Sequence, residues 1–274
     1  MDNKDNNSYS ENFVAFLDIL GFKNIINTHN IDEVFSIFSS IINDNQAELV
    51  LHKAVYSPDE IIDIDESERE EVESIWRYND SLSSANIYIM SDSIVVAVPC
   101  IYEESLAVVI DICDIIQQQL LSLDEPVLLR GAIAKGDFYI GDNKDNTSIE
   151  PHLKSTLVFG KGLVDAYVAQ EYYAVYPRVI ISDEVKKGYS ICTKGCYYEL
   201  PRDKDGYTYI NSIEKFLNTE FLSWDKIEAS EQYKKLNDKI NDNLSRYIDA
   251  GVRDKYIWIR NEINRIKKNK SNKN

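Results

Sequence analysis

Residues 86–99 read NIYIMSDSIVVAVP, two apolar runs parted only by Ser91, Asp92 and Ser93. Each run has strand length and the connection between them is short, so a β-hairpin with Asp92 at its turn is the simplest fold for this stretch. The 274 residues are 44% hydrophobic and 11% aromatic, enough for one sizeable core with a smaller appended lobe.

A second strand precedes the hairpin. Asn12 to Asp18, NFVAFLD, is almost continuously apolar, as suits a strand covered on both faces. Gly21 then allows a tight turn into a helix over KNIINTH. From Ile31 onward, Val34, Phe35, Phe38, Ile41 and Ile42 follow three- and four-residue steps and predict a core-facing helix. Residues 56–84 are acidic, open on Ser-Pro and end in serines, which reads as an insertion or surface excursion.

After the hairpin, Leu106, Val109, Ile110, Cys113, Ile116 and Leu120 mark one face of a helix over about residues 103–123. VLLRGAIA predicts a strand that continues through KGDFYIG, with Gly136 at the bend. LVFGKGLVDAYVAQEYYAVY gives a short strand, a glycine turn and a helix, and RVIIS a further strand. This order predicts an α+β fold with a ferredoxin-like palm core, antiparallel strands carrying helices on one face. Tyr197 to Asn211 reads as a second hairpin around Lys204, Asp205 and Gly206. Two C-terminal helices follow, marked by Tyr233, Leu236, Ile240, Leu244 and Tyr247 and by Val252, Tyr256, Ile259, Ile263 and Ile266, to pack on the core or on a partner subunit.

The expected division is a disordered start (1–11), a main domain (12–182), a hairpin and helical extension (183–267) and a basic disordered tail (268–274). A net charge of −16 opposes non-specific nucleic-acid binding, which needs a basic face. No run approaches the roughly 18 apolar residues of a membrane span, and the start lacks a secretion signal, so a cytoplasmic protein without membrane contact is expected. Cys192 and Cys196 form a lone CTKGC with no second pair beside it, which argues against a zinc site.

In this topology the first strand and the hairpin are neighbours, so Asp18 and Asp92 converge. Two carboxylates at one point repel unless cations lie between them, and magnesium or manganese, which prefer oxygen ligands and leave positions for phosphate oxygens, suit such a pair. From position alone, a strand-ending Asp18 and a turn-making Asp92 remain an equal alternative.

The motifs carry a resemblance. FLDILGF resembles the first metal motif of the class III nucleotide cyclases (adenylate and guanylate cyclases), and MSDSIVVAV their hairpin with the second metal aspartate. LLRGAIAKGDFYIG is similar to the strand pair that follows, and VFGKGLVDAYVAQE to the glycine turn and helix after it. The match spans about residues 12–182 in family order. It implies two Mg2+ or Mn2+ ions held by Asp18, Asp92 and the Ile19 carbonyl, catalytic roles for Asp18, Asp92 and Arg130, substrate contacts from Phe16, Tyr88, Arg130 and Leu157, and a homodimer with sites at its interface.

The chain also departs from that family. Purine cyclases read adenine with a lysine and an aspartate, where this chain has Tyr88 and Leu157. They steady ribose and transition state with an asparagine and an arginine, where it has Val164 and Val168, with Asp165 and Tyr167 near but not equivalent. Arg130 and Lys135 are the remaining cations in the matching segment. With these departures the chain looks most like the pyrimidine cyclases of bacterial Pycsar antiphage systems, which implies UTP or CTP as substrate and a separate effector that senses the cyclic product. A catalytically silent nucleotide-sensing homologue, or a palm-type polymerase or linear-dinucleotide synthetase, are the alternatives.

Overall fold

The computed structural model describes residues 10–39, 41, 66–123, 125–142, 156–187, 200–217, 226–246 and 249–271. In chain order these form β1 (Ser10–Leu20), α1 (Phe22–Thr28), α2 (31–39), α3 (Glu66–Ser83), β2 (Asn86–Met90), β3 (Ser93–Pro99), α4 (Ser105–Ser122), β4 (Leu128–Asp142) and β5 (Thr156–Phe159). They continue with α5 (Lys161–Tyr173), β6 (Val179–Ile181), α6 (Asp183–Lys186), β7 (Thr208–Ile210), α7 (Ser212–Leu217), α8 (Lys226–Arg246) and α9 (Ala250–Ser271).

The sheet order is β2-β3-β1-β4-β6-β7, with β5 paired to the far end of β4. β1 lies antiparallel to both β3 and β4, and β6 parallel to β4. The first four strands, with the helices between them, have the split order of the ferredoxin-like palm, so the expected α+β core is present.

The alternation of side chains along β1 explains its nearly unbroken apolar run. Phe13, Ala15, Leu17 and Ile19 join one core cluster with Ile94, Val96 and Val98 of β3 and with α4. Val14 joins another, on the opposite face, with Val95, Ala97, Ala134, Phe138 and Ala166 of α5. Helices therefore cover both faces rather than one, α4 on the first and α5 on the second. Gly136 and Gly162 make α5's approach possible, because a Cβ on Gly136 would stand 2.9 Å from the Gly162 nitrogen.

Several expectations are corrected. Ser10 and Glu11, expected in a disordered start, pair with Phe138 and Asp137 as the first residues of β1. The described part of the acidic segment is α3, which is no surface excursion: it buries Val72, Tyr78, Ser81 and Leu82, and Arg77 clamps Glu104 at 2.9 Å. The Tyr78 hydroxyl donates to Asp111 of α4 at 2.6 Å, and the Ser81 and Ser105 hydroxyls lie 3.0 Å apart. Polar contacts thus tie an acidic helix to an apolar one, which hydrophobic periodicity does not register. Phe35 is exposed, while Val34, Phe38 and Ile41 pack on the core. Ile42, and residues 197–199 of the second expected hairpin, lie outside the described residues.

The C-terminal segments pack on this chain's own core. β7 extends the sheet beyond β6, past the boundary expected at 182, and α7, α8 and α9 share a cluster of Ile213, Phe216, Leu236, Ile240, Ile259, Ile263 and Ile266 with Leu121 and Leu128. Arg178, only 1% exposed, pins them: its guanidinium lies within 5.6 Å of the ring centres of Tyr176, Tyr209 and Trp258 and pairs with Asp203 and Asp205. α4 is long and apolar enough to cross a membrane, but it is mostly buried inside the protein.

Candidate active site

β1 ends on Asp18-Ile19-Leu20, and Asp18 stands opposite Ser93 of β3 and Arg130 of β4. The β2–β3 turn is the tight pair Ser91-Asp92, with Ser93 already in β3. Ser91 has φ 58°, the left-handed conformation that a two-residue hairpin turn demands and that costs a non-glycine residue about 1 kcal/mol. The Ile19 N–H donates to the Asp92 carbonyl at 2.8 Å, so the two expected carboxylate residues are brought together by the backbone itself.

Their side chains differ in setting. Asp18 Oδ2 accepts from Arg130 Nε at 2.7 Å, an ion pair with both side chains about one-fifth exposed. Asp92 is exposed, and the Ser93 hydroxyl reaches its Oδ1 at 3.5 Å. Arg130 is therefore at the site, directed onto Asp18, with Glu171 of α5 3.7 Å from its far nitrogen.

Two carboxylates and a main-chain carbonyl are hard oxygen donors; among the described residues Asp18 Oδ1 makes no hydrogen bond, and Asp92 is solvent-accessible. Among the described residues no group of three or more His, Cys, Asp or Glu side chains converges. Such a sparse set fits magnesium or manganese, which keep most of their positions for water and phosphate oxygens, and does not fit zinc.

On the same face, one step back along β1, Phe16, Val95 and Tyr88 form a row across three strands. Tyr167 of α5 packs edge-on against Phe16 at 5.3 Å, and Tyr88 lies 6.2 Å from Phe138. Burial raises the Tyr88 hydroxyl above the usual tyrosine pKa.

Not every expected residue joins the cluster. Leu157 is 49% exposed on β5, and it is the next residue, Val158, that packs against the core cluster that Phe16 and Tyr88 also border. Val164 and Val168 are exposed on α5, and Asp165 pairs with Lys161. Lys135 is excluded from the site: it lies five residues from Arg130 on one continuous strand, hence on the opposite face, where it pairs with Glu11 at 2.9 Å.

Two residues were missed. Glu171 lies four residues after Tyr167, so one helix face serves both Phe16 and Arg130. Lys255 of α9 is partly buried; burial lowers its pKa most, Arg130 adds to that, and Asp18, Asp249 and Glu171 act in the opposite sense. The helical spacing of Tyr167 and Glu171 was readable, but nothing in the sequence placed α9 beside β1.

No protein-family profile and no curated protein matches the chain. Among solved structures it is similar to the adenylyl cyclase CyaB from P. aeruginosa (12% identity, 75% of this chain and 94% of that one, TM-score 0.42). It is also similar to the guanylate cyclase domain of RhGC from Catenaria anguillulae in complex with GTP (13%, 73% and 94%, TM-score 0.40). A bacterial light-regulated adenylyl cyclase is a third such structure (11%, 83% and 98%, TM-score 0.40). At these levels the functional reading rests on the chain's own residues.

Proposed function

We propose that the chain is a nucleotide cyclase that converts a pyrimidine nucleoside triphosphate, UTP or CTP, into its 3′,5′-cyclic monophosphate. The observation that carries this reading is the convergence of Asp18 and Asp92, joined through the Ile19–Asp92 backbone hydrogen bond at 2.8 Å. In the reaction the ribose 3′-oxygen bonds to the α-phosphorus, the bond from that phosphorus to the bridging oxygen breaks, pyrophosphate leaves, and the hydroxyl proton passes to solvent. Divalent ions, when bound, neutralise the triphosphate and acidify the hydroxyl. Asp18 and Asp92, with the Ile19 carbonyl, hold them. Arg130 orients Asp18 and is within reach of developing phosphate charge. Tyr88, partly buried and aromatic, narrows the base pocket and offers a stacking face and a hydroxyl.

The active species is a homodimer with its sites at the interface. Leu157, Val164, Tyr167 and Val168 are exposed apolar or aromatic side chains on neighbouring β5 and α5, a surface that a second copy would cover. The cyclic product serves as a cytoplasmic signal read by a separate effector in antiviral defence, as the resemblance implies.

Incubating the purified chain with each of the four ribonucleoside triphosphates and Mn2+ tests the reading. Cyclic UMP or cyclic CMP with equimolar pyrophosphate is the expected result, and absence of both ends the enzyme proposal. A silent nucleotide-sensing module is the second reading, favoured by the Arg130–Asp18 ion pair that engages the site's nearest arginine; bound nucleotide without turnover would support it.

A further inference from the structure

Asp18 and Arg130 are direct cross-strand partners on β1 and β4, and their side chains meet at 2.7 Å between Arg130 Nε and Asp18 Oδ2. A second carboxylate, Glu171 of α5, stands 3.7 Å from Arg130 Nη2, too far for a hydrogen bond but within ion-pair range. Nε and Nη2 form one edge of the guanidinium, the fork that can grip both oxygens of a carboxylate. Elsewhere in the chain that grip is closed: Arg77 puts Nε and Nη2 on Glu104 at 2.9 to 3.1 Å. Arg130 instead divides its fork between two acids and completes it on neither.

This division bears on the carboxylate pair. A divalent ion held by Asp18 brings positive charge to a carboxylate that already matches a guanidinium, so ion and arginine compete for it. The register of β1 and β4 fixes the two backbones, and only the flexible arginine side chain is free to yield. Glu171 is placed to receive it. Its side chain is 49% exposed and, among the described residues, pairs with no cation other than Arg130. Tyr167, one helical turn earlier, packs on Phe16 at 5.3 Å and holds this face of α5 against β1. Lys255 of α9 is within electrostatic reach of Asp18, Arg130 and Glu171, so two cations face two carboxylates before any ion enters.

We propose that Glu171 is a positioning residue for the metal pair: it draws the Arg130 fork off Asp18, so that both Asp18 oxygens are available to divalent ions. This rests on the reading of Asp18 and Asp92 as metal holders. Arg130 then serves as a latch, closed on Asp18 or drawn back onto Glu171.

The test uses the full chain and Mn2+ alone, with affinity measured by calorimetry and thermal melts confirming that each variant is folded. Glu171→Gln is expected to weaken Mn2+ binding about fivefold, the size of one partly exposed ion pair. Arg130→Gln removes the competitor for Asp18 and should bind Mn2+ at least as tightly as the unaltered chain. In the Arg130→Gln background, Glu171→Gln should then change nothing, because Glu171 acts through Arg130. A carboxylate that merely adds negative charge near the ion would weaken binding equally in both backgrounds, and that result overturns the proposal. So does Mn2+ affinity that is unchanged in Glu171→Gln or weakened in Arg130→Gln. Asp92→Ala tells the two readings apart. Mn2+ binding that is lost in Asp92→Ala but indifferent to Glu171 overturns the latch and leaves the metal pair intact. Mn2+ that binds equally to Asp92→Ala, or not at all to the unaltered chain, removes the metal pair and the latch with it.

Discussion

On the face of the sheet covered by α4, Asp111 is buried, takes the Tyr78 hydroxyl at 2.6 Å and leaves its Oδ1 without a hydrogen-bond partner among the described residues. Asp114 beside it takes Lys215 of α7 at 2.7 Å. On the other face Asp18 is partly exposed against Arg130, and Asp92 is open to solvent. Burial pushes the Asp111 carboxyl up to about 7, against hydrogen bonding from Tyr78 and the charge of Lys215. The more perturbed acid is the one outside the proposed metal pair. If Asp18 and Asp92 do the chemistry proposed for them, a shifted carboxyl is a poor guide to it in this chain.

The largest separation of the two faces should come from Asp92→Ala. Loss of a metal-holding carboxylate is expected to lower turnover by at least about 100-fold, with the melting temperature almost unchanged because an exposed turn side chain contributes little to packing. Asp111→Asn should leave kcat near wild type. Activity retained in Asp92→Ala would remove the metal role, and activity lost in folded Asp111→Asn would break the contrast.

The next effect is on stability. Asp111 holds its proton in the folded chain to about pH 7, whereas an unfolded aspartate loses it near 3.8. Across that window the folded state binds more protons, so this group's contribution to stability falls as pH rises and its full penalty is reached above about 7. Asp111→Asn retains an acceptor for Tyr78 and should flatten that slope, gaining on the order of a few kcal/mol at pH 8 relative to pH 5. Denaturant melts at the two pH values check this; an unaltered slope would mean that Asp111 is ionised in the folded state.

A smaller effect is expected where α5 meets solvent. Val164→Arg puts a charge into the surface assigned to the second copy, and should shift a dimer toward monomer in sedimentation and lower specific activity by about tenfold. Val164 is exposed within one chain, so its replacement should not change the melting of a monomer. A variant that stays dimeric and fully active would place the subunit contact elsewhere.

Much of this arrangement was legible because strands announce themselves by apolar alternation. NFVAFLD, the 86–99 hairpin and LLRGAIA defined β1, β2, β3 and β4, and with them the meeting of Asp18 and Asp92. Gly21, at φ 81°, marked the turn into α1. Strand parity also held information that a presumed bend at Gly136 obscured: β4 runs unbroken from Leu128 to Asp142, which sends Lys135 and Arg130 to opposite faces. The same parity turns Val158, rather than Leu157, toward the core cluster that Tyr88 borders. Where Glu171 and Lys255 dock was beyond reach for a different reason, although the shared helix face of Tyr167 and Glu171 was readable. The offset at which a helix docks on a sheet is set by packing between distant segments, and periodicity gives its face without its registration.

The smallest effect tests the apolar end of the site. Tyr88 lies in a row with Val95 and Phe16 and packs 6.2 Å from Phe138, so its ring is part wall and part potential base contact. Tyr88→Ala removes both the stacking face and the hydroxyl, and should lower kcat/KM for the preferred pyrimidine by several-fold to about tenfold while sparing metal affinity. Tyr88→Phe separates the two contributions. If the hydroxyl reads the base, Tyr88→Phe should shift the UTP-to-CTP ratio nearly as much as alanine does. If stacking alone matters, phenylalanine should leave that ratio intact. A substrate profile unchanged in Tyr88→Ala would remove Tyr88 from the base pocket and leave it as packing for Phe138, with the carboxylate end of the face unaffected, because Asp18 and Asp92 are held by backbone register and an ion pair rather than by that aromatic row.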